Sequence, residues 1–387
     1  MEEKSPIRHI FRYNENTQMN KAIIYNIIGI LAVLAIIFFK IPMVWVILGV
    51  FVLLVFAVFN PFMPSVESIP KGFTEKKFNT GKIILNYIEG PDNGPPLLFI
   101  PGQMEFWQGY KLVIPNFSKN HHVFVVDVRG HGKSTKTPGE YSYTIIGEDL
   151  KEFMERIIKK PTIVSGLSSG AILSLWLAAN APEFVSIAIS EDPPYFSSMW
   201  PRINEEKYMH RLFEVAVDCL GKPDRDILGF FMQQGIPKVG HEKLFLIPPW
   251  IAKFIVGLFE LNKKFRPAKK YDVPLAPFSG RVGFKFISEY DVDFSKATID
   301  GRLTEGFDPE ITLRKIKCPV LLIQARWSRH ETWGLLGALD ADDVEKIRSI
   351  VKDIKCEKVN AIHDVHLAKP KIFIKVVNDY LAELKIR

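Results

Sequence analysis

The sequence predicts an α/β fold with a mostly parallel sheet and helices on both faces, preceded by two apolar helices. From about residue 77, short apolar runs alternate with segments of helical spacing, and this alternation is typical of a parallel sheet. Several of the apolar runs end at glycine-containing turns, where a strand would meet the next helix. Two uncharged runs of about 18 residues near the N-terminus predict the two apolar helices.

The two N-terminal apolar runs span residues 22–39 and 43–59. Each run is just long enough to cross a bilayer as a helix. Lys40 and Pro42 lie where a tight turn between two helices would fall. We therefore predict a transmembrane helical hairpin at residues 22–59. A cleaved signal peptide and a hairpin buried in a soluble core are the two alternatives.

The charges around this hairpin predict its orientation. The preceding segment, residues 1–21, and the linker at residues 60–76 with the residues just after it are rich in cations, whereas the turn holds a single lysine. Cationic flanks are retained on the cytoplasmic side of a membrane. We therefore expect a two-span membrane protein with the lipid bilayer as a partner and with cytoplasmic termini and catalytic part. The cations are Lys4, Arg8, Arg12 and Lys21 before the hairpin, and Lys71, Lys76, Lys77 and Lys82 after it.

The overall composition excludes several classes of protein. The chain has 387 residues, of which 47% are hydrophobic and 24% charged, so it can bury a core and is not disordered. Cys219, Cys318 and Cys356 are far apart, which disfavours a disulfide framework or a structural zinc site. The net charge of +7 comes mostly from the surroundings of the hairpin rather than from a concentrated basic face. We therefore expect no nucleic-acid partner, no metal and no cofactor.

Strands and helices of the predicted sheet follow in a regular order along two stretches of the chain. These stretches, residues 77–194 and 314–387, form the predicted core. Strands are predicted at residues 82–88, 96–100, 122–128, 162–165, 184–190, 320–324 and 357–362, and helices at 145–159 and 170–179. Because ligands of open parallel sheets bind at the carboxyl ends of the strands, the residues that follow each strand are candidates for a functional site.

The end of the strand at residues 162–165 carries a GxSxG motif that runs from Gly166 to Gly170. An apolar strand precedes the motif and an apolar helix follows it, which is the context that a nucleophile elbow requires. The elbow strains the serine backbone, and Gly166 and Gly170 provide the space that this turn needs. Ser168 would then stand at the N-terminus of a helix, where the local field favours negative charge. The alternative is a glycine-flanked turn with an incidental serine.

Four motifs in this order resemble those of the α/β-hydrolase fold superfamily. Residues 100–103 resemble the segment after the third strand, which usually reads His-Gly-x in that family. Residues 127–134 match the family's D-x-R-G-x-G-x-S turn, and the GxSxG motif follows at the expected interval. Residues 362–370 resemble the final histidine loop, normally G-H-x-x-H-x-x-x-P. The resemblance covers roughly residues 77–384 and implies an α/β-hydrolase core.

The resemblance implies roles for the residues of these motifs. Ser168 would be the nucleophile, and it needs an adjacent base because a serine hydroxyl is too weakly acidic to attack a carbonyl alone. His363 matches the first histidine of the final loop and is the predicted base. His366 is the runner-up, and for this residue a role in packing or supporting the loop is favoured over that of the base. The backbone N–H groups of Gln103 and Ser169 would hold the developing oxyanion.

The acid that would orient His363 departs from the usual family pattern. The family usually places it a few residues after the strand at 320–324, and this sequence has no Asp there. A variant of the superfamily places the acid after the preceding strand, where Asp192 stands before a proline. We predict Asp192 as the acid and keep Asp340 and Glu331 as alternatives.

Residues 195–313 interrupt the alternation of strands and helices and are rich in aromatic side chains. In this superfamily an insertion at this place forms a cap over the nucleophile. Residues 250–264 have the spacing of an amphipathic helix, whose apolar face either packs on the sheet domain or forms an apolar entry that faces the membrane. The lysine-rich residues 263–270 form either a solvated surface or a contact for anionic lipid headgroups.

Together these features predict a membrane-anchored serine hydrolase that cleaves carboxylic esters through an acyl-enzyme. The aromatic insertion and the apolar hairpin favour a small-molecule substrate with an apolar or amphiphilic acyl group. Thioesterase or acyltransferase activity with the same triad is an alternative, and so is a non-catalytic sensor that binds a small ligand. Epoxide hydrolase and haloalkane dehalogenase activities are disfavoured, because similar proteins with those activities have Asp where Ser168 stands.

Overall fold

The structure is a computed structural model in which the chain divides into two units, Met1–Met63 and Pro64–Arg387. It describes residues 44–45, 47–49 and 65–385, apart from residues 239 and 275. No helix within these described ranges combines the length and the apolar character that crossing a bilayer requires. The predicted hairpin at residues 22–59 lies almost entirely outside them and stays a prediction.

An eight-stranded sheet forms the centre of the second unit, and two short hairpins accompany it. The strands are β1 (Thr74–Asn79), β2 (Ile84–Glu89), β3 (Pro96–Ile100), β4 (His122–Asp127), β5 (Thr162–Leu167), β6 (Val185–Glu191), β7 (Gly235–Ile236), β8 (Phe245–Leu246), β9 (Val320–Gln324), β10 (Ser328–His330), β11 (Gly334–Leu336) and β12 (Ile354–Lys358). Across the sheet the order is β1-β2-β4-β3-β5-β6-β9-β12. β2 pairs antiparallel with both β1 and β4, and all other neighbours in this sheet are parallel. The predicted α/β fold with a mostly parallel sheet is confirmed.

Helices lie between the strands and in the insertion that follows β6. The α-helices of the described part of the second unit are α1 (Ile114–Phe117), α2 (Tyr143–Phe153), α3 (Ser169–Asn180), α4 (Lys207–Leu220), α5 (Ile227–Met232), α6 (Pro249–Phe265), α7 (Phe278–Glu289), α8 (Asp293–Asp300), α9 (Pro309–Lys315), α10 (Ala341–Ile350), α11 (Val365–Ala368) and α12 (Pro370–Glu383). Helices α4 to α8 and the β7–β8 hairpin come from residues 195–313. Helix α9 crosses the predicted boundary at 313/314 and packs against α3 of the core.

The hydrophobic core lies on both faces of the sheet. All five residues of β3 are buried, and because side chains alternate along a strand, the four that follow Pro96 divide between two apolar clusters. Leu98 and Ile100 belong to the cluster that includes Trp176 of α3, whereas Leu97 and Phe99 belong to the other cluster. A strand covered on both faces reads as a continuous apolar run, which is why the PLLFI segment was recognisable in the sequence.

Several elements differ from their predicted bounds. The edge strand β1 was not predicted, and β12 lies three residues earlier than the strand predicted at 357–362. The helix predicted at 145–159 ends as an α-helix at Phe153 and continues as a π-helical turn, Met154–Ile158. Helix α6 agrees with the helix predicted at 250–264 to within one residue at each end. These differences leave the carboxyl ends of β5, β6 and β9 close to where the sequence placed them.

Candidate active site

Ser168 occupies a strained turn between β5 and α3. Its φ of 54° and ψ of −121° lie outside the regions that most residues adopt, and α3 begins at the next residue. The Ser168 N–H donates to the backbone oxygen of Glu191 at 2.9 Å, so the end of β6 holds the turn. This is the geometry of a nucleophile elbow at the carboxyl edge of the sheet.

Two glycines of the GxSxG motif are required by close backbone contacts. A Cβ atom on Gly166 would lie 2.0 Å from the backbone oxygen of Gly170. A Cβ atom on Gly170 would lie 2.2 Å from the backbone oxygen of Ile100, at the end of β3. No side chain fits at such distances, so the motif lets α3 begin directly against β5 and β3.

His363 and Asp192 form a hydrogen-bonded pair across two loops that follow strands. His363 Nδ1 lies 2.6 Å from Asp192 Oδ2, with the Asp192 side chain 3% exposed and that of His363 40% exposed. The other carboxylate oxygen of Asp192 accepts from the Ala325 N–H at 2.9 Å, and the Asp192 N–H donates to Ile323 O at 2.7 Å. Asp192 is therefore fixed to the end of β9 and presents one oxygen to the imidazole.

The electrostatic surroundings raise the basicity of His363. Burial opposes the charged imidazole, but the hydrogen bond to Asp192 and its negative charge outweigh burial, so the pKa of His363 is raised above its ordinary value of 6.5. With Nδ1–H directed at Asp192, Nε2 is the nitrogen that can accept a proton. The pair can therefore act as a base that is oriented by a carboxylate.

The other two candidate acids lie in different surroundings. Asp340 caps α10, where its side chain accepts from the Asp343 N–H at 3.0 Å, and it also accepts from Arg329 Nε at 2.9 Å. Glu331 is exposed in the turn between β10 and β11. The carboxyl group that contacts His363 is that of Asp192.

The loop after β3 lies beside the elbow and is held by the insertion. The Gln103 side chain donates to Ser295 Oγ at 2.7 Å and accepts from Thr298 Oγ1 at 3.1 Å, and both partners belong to α8. A Cβ atom on the neighbouring Gly102 would lie 3.1 Å from the Cβ of Ser168, which shows how closely this loop approaches the elbow. Since the side chain of Gln103 is engaged with α8, its backbone N–H is the group that fits the predicted oxyanion role.

A buried neutral histidine supports the same loop from below. The Met104 N–H donates to His131 Nε2 at 3.1 Å, and His131 Nδ1 donates to the backbone oxygen of Arg129 at 3.0 Å. Burial lowers the pKa of His131 to about 4, so one ring nitrogen can accept while the other donates at neutral pH. The D-x-R-G-x-G-x-S turn thus positions the oxyanion loop through His131.

A second buried histidine, His366, lies between two glutamates beneath the site. Its backbone N–H donates to Glu191 at 2.8 Å, its Nδ1 lies 3.0 Å from the same carboxylate, and its ring stacks on Tyr110 with centroids 4.0 Å apart. On the other side, Nε2 is 3.3 Å from Glu105 Oε1, although the alignment is not that of a hydrogen bond. Burial opposes the charge on His366, but the two carboxylates outweigh it, and its pKa is raised well above the ordinary value.

This buried cluster joins the three loops of the site. Glu191 adjoins Asp192, His366 follows His363 by three residues, and Glu105 lies two residues beyond Gln103. From its motif, His366 was expected to support the loop, with the role of base as the alternative, and no motif marked Glu105 or Glu191. Within the described residues, no group of three or more His, Cys, Asp or Glu side chains is arranged to hold a metal ion.

The predicted nucleophile, base and oxyanion residues line one cavity of about 280 Å³. Its polar lining residues are Gln103, Ser168, Ser169, Ser198, Gln234, Thr298 and His363, and its apolar and aromatic lining residues are Met104, Tyr143, Pro194, Met209, Leu212, Phe213 and Phe230. Helices α4 and α5 of the insertion supply four of the apolar side chains. A larger surface depression of about 950 Å³ lies near the start of β3 and β4, at the opposite edge of the sheet from Ser168.

Comparison with known proteins identifies the family. A model of the alpha/beta hydrolase fold matches residues 95–330, which is more than half of the chain. The chain belongs to the α/β-hydrolase fold family. This family includes epoxide hydrolase, esterase and lipase neighbours of the chain.

Individual members of the α/β-hydrolase fold family are distant from this chain. Epoxide hydrolase 2 of Caenorhabditis elegans is 28% identical over 106 residues, which are 27% of this chain and 30% of that protein. Ethanol acetyltransferase 1 of Cyberlindnera jadinii is 22% identical over 297 residues, 74% of this chain and 79% of that protein. The crystal structure of the carboxylesterase CesB from Bacillus subtilis is 18% identical, with a TM-score of 0.55, and the match covers 81% of this chain and 92% of that chain. The chain thus spans about a third of the length of the epoxide hydrolases that it matches.

Proposed function

We propose that this protein is a serine hydrolase that cleaves carboxylic esters with apolar or amphiphilic acyl groups. The observation that carries this proposal is the placement of Ser168 at a nucleophile elbow, in the same cavity as a histidine that is bonded to a buried aspartate. A serine and a base in one cavity, with a buried acid that orients the base, are the parts that acyl transfer to a serine requires.

The first half of the reaction forms an acyl-enzyme. Ser168 Oγ attacks the ester carbonyl carbon while its proton passes to His363 Nε2, and Asp192 stabilises the resulting imidazolium. The backbone N–H groups of Gln103 and Ser169 hold the negative charge that develops on the carbonyl oxygen. Collapse of the tetrahedral intermediate breaks the ester C–O bond, and the alcohol leaves with the proton from His363.

The second half of the reaction releases the acid. Water takes the place of the alcohol, gives a proton to His363, and attacks the acyl carbon through a second tetrahedral intermediate. The bond to Ser168 Oγ then breaks, and the serine regains its proton from His363. Asp192, which lies behind His363, stabilises the imidazolium in this half as well.

The cavity lining supports an uncharged acyl group. None of the described residues that line it is Lys, Arg, Asp or Glu, and half of them are apolar or aromatic. A volume of about 280 Å³ is at the small end of ligand pockets, which commonly run from about 300 to 1,000 Å³. We therefore expect acyl chains of short to medium length.

Acyl transfer to an alcohol is a second candidate, and one observation favours it. Ethanol acetyltransferase 1 of Cyberlindnera jadinii matches three quarters of this chain. The same acyl-enzyme would then react with an alcohol instead of water.

Two other candidate functions are less well supported. Epoxide hydrolysis would need an aspartate where Ser168 stands. A non-catalytic sensor would be favoured by the lack of an acid after β9, but Asp192, after β6, is bonded to His363 and can serve as the acid.

A panel of p-nitrophenyl esters of increasing acyl length tests the proposal. We expect an initial burst of p-nitrophenol that is stoichiometric with enzyme and a steady-state rate that is highest for short to medium acyl chains. The Ser168→Ala variant should show neither the burst nor the steady-state hydrolysis. Adding ethanol and measuring ethyl esters separates acyl transfer from hydrolysis. A Ser168→Ala variant with unchanged turnover would reject the proposal.

We also propose that residues 22–59 anchor the protein in a membrane, with the hydrolase unit on the cytoplasmic side. The length of the two apolar runs and the cations on their flanks support this arrangement. Alkaline carbonate extraction should leave the full chain in the membrane fraction, and a reporter fused after residue 387 should be protected from protease added outside the cell. A reporter found outside the cell would contradict the orientation.

A further inference from the structure

Helix α6 exposes a row of large apolar side chains along its outer face. Trp250, Phe254, Leu261 and Phe265 are between 54% and 72% exposed. They are separated by four, seven and four residues, so they lie on one face of the helix. We call these four residues the α6 stripe. A helix of 17 residues is about 25 Å long, so the stripe extends over a large part of one side of the insertion.

The α6 stripe is not needed to attach the helix to the rest of the insertion. The opposite face of α6 is buried through Ala252, Val256 and Phe259, and Phe259 stacks on Phe284 of α7 with centroids 4.4 Å apart. A surface helix with one packed face normally presents polar residues on the other face. The aromatic residues on the outer face therefore serve a purpose other than folding.

The β7–β8 hairpin, which directly precedes α6, extends the apolar surface. Ile236, Phe245 and Leu246 are each at least half exposed. Seven large apolar side chains that are at least half exposed therefore lie between residues 236 and 265, and such a concentration of exposed apolar side chains marks an interaction site.

The charges along α6 indicate what the stripe meets. Lys253 and Lys264 are exposed and lie about 70–90° around the helix from the centre of the stripe, at about 100° per residue. Residues 249–270 carry six cationic residues and one acidic residue, Glu260, which pairs with Lys263 at 3.4 Å. Aromatic side chains with lysines alongside match the boundary between acyl chains and anionic headgroups of a bilayer.

The α6 stripe is also one element away from the candidate active site. Helix α6 packs against α5, and Phe230 of α5 lines the cavity that holds Ser168. Helix α5 packs in turn against α4, which contributes Met209, Leu212 and Phe213 to the same cavity. A surface that touched the α6 stripe would therefore lie just beyond the apolar wall of the cavity.

We infer that the α6 stripe and the β7–β8 hairpin dock on an anionic lipid bilayer, and that the acyl substrate passes from the bilayer into the Ser168 cavity along α5. This inference rests on the proposed ester hydrolysis for its substrate and on the exposed surface alone for its docking. The full chain is the material for both tests, reconstituted in vesicles of phosphatidylcholine with about 30 mol% phosphatidylglycerol.

The docking test follows the fluorescence of Trp250. The emission of Trp250→Phe is subtracted from that of the wild type, which isolates the contribution of this one tryptophan. Vesicles made with brominated acyl chains should quench this difference signal strongly compared with ordinary vesicles. An equal signal in both kinds of vesicle, as expected if residues 22–59 or a second copy covered the stripe, overturns the docking.

The substrate test compares two esters with the same chemistry. In Phe254→Asp/Leu261→Asp, the rate on p-nitrophenyl decanoate held in vesicles should fall about tenfold, because charged side chains cannot enter the acyl region. The rate of this variant on p-nitrophenyl acetate in water should stay within about twofold of wild type, because neither residue lines the cavity. Ile311→Asp, at an exposed residue of α9, is the matched control and should leave both rates unchanged.

The outcomes separate this inference from the proposed function. Unchanged decanoate hydrolysis in the double variant overturns the entry route while the hydrolase stands. A wild type that hydrolyses neither ester refutes the proposed function, and the Trp250 signal still decides the docking. Omitting phosphatidylglycerol should lower the decanoate rate several-fold, and equal rates on neutral and anionic vesicles would overturn the role assigned to the lysines.

Discussion

At the residue scale, the central contact is the 2.6 Å bond between His363 Nδ1 and Asp192 Oδ2. These residues are 171 positions apart, and each comes from a loop that follows a strand. The other carboxylate oxygen of Asp192 accepts from the backbone N–H of Ala325, just after β9. The placement of Asp192 therefore does not depend on His363. The carboxylate that contacts His363 thus follows β6 rather than β9.

Replacing Asp192 with Asn tests this assignment. The substitution keeps the size of the side chain but removes the charge that orients and stabilises the imidazolium, so kcat should fall by about 10⁴-fold. The matched control Glu331→Gln changes an exposed carboxylate and should leave kcat unchanged. Near-normal turnover in Asp192→Asn, measured with a p-nitrophenyl ester, would transfer the role to another carboxylate.

The pH dependence of the rate reports the same contact. His363 must be neutral to act as a base, and its pKa is raised above 6.5, so the rate should fall as pH drops through that raised pKa. Without the charge of Asp192 the pKa of His363 falls, and the acid limb of the residual activity should move to lower pH. A profile of kcat against pH for both proteins measures the shift, and an unmoved limb would contradict the pairing.

The buried cluster of Glu191, His366 and Glu105 makes a prediction about stability. His366→Gln leaves two buried carboxylates facing each other without the cation, and the free energy of unfolding should fall by roughly 3–5 kcal/mol. In His366→Gln/Glu105→Gln one of those carboxylates is neutral, so part of the loss should be recovered. Urea unfolding of the full chain in detergent measures the free energy of unfolding of both variants and of the wild type. Equal losses of this free energy in the single and the double variant would contradict a cationic His366 between two carboxylates.

The same cluster gives the stability a dependence on pH with a definite sign. The pKa of His366 is raised in the folded state, so folding takes up a proton near neutral pH. This stabilisation is complete below about pH 6.5, the unfolded value, and is lost as pH rises towards the folded pKa, at up to about 1.4 kcal/mol per pH unit. Wild type should therefore lose more stability than His366→Gln when unfolding is compared at pH 6 and pH 9.

At the element scale, the strand–elbow–helix unit positions the nucleophile, and its packing depends on glycine. Gly166→Ala would place a methyl group 2.0 Å from a backbone oxygen, so α3 has to move away from β5. We expect this variant to lose at least tenfold in kcat, because Ser168 moves with α3. In the control, Gly283→Ala, the added Cβ meets nothing within 4 Å, and the exchange in helix α7 should stabilise the protein by about 0.5–1 kcal/mol. A fully active Gly166→Ala would contradict the described elbow.

The elements that were predicted well are those whose burial is visible in the sequence. β3 and β9 are completely buried and appear as uninterrupted apolar runs. β1 is an edge strand with the sequence TEKKFN, mostly exposed, and so has no apolar run to reveal it. β12 is the opposite edge strand and is only half-buried, which is why its more apolar C-terminal neighbours were taken for the strand.

The candidate active site also contains residues that the sequence reveals and residues that it does not. Ser168 and His363 lie in local motifs that a single sequence reveals. The contacts of His366 with Glu191 and Glu105 span 175 and 261 residues, and nothing in the neighbouring sequence marks them. Contacts of that kind become visible only when the strands have been brought together in the sheet.

At the scale of the whole molecule, the hydrophobic and basic character of the chain has two sources. The apolar residues 22–59 account for much of the hydrophobicity, and their cationic flanks account for much of the positive charge. These residues form the proposed membrane anchor. The exposed α6 stripe and the cations of residues 249–270 are a second source, in the catalytic unit itself. The fold, by contrast, is that of an ordinary member of the α/β-hydrolase fold family.

The proposed function requires above all that Ser168 is an activated nucleophile. A fluorophosphonate probe reacts covalently with such a serine, and mass spectrometry of the digested protein locates the adduct. We predict one adduct per folded chain on Ser168, no adduct in Ser168→Ala, and strongly slowed labelling in Asp192→Asn. A folded protein that stays unlabelled, or that carries the adduct on another residue, would contradict the account.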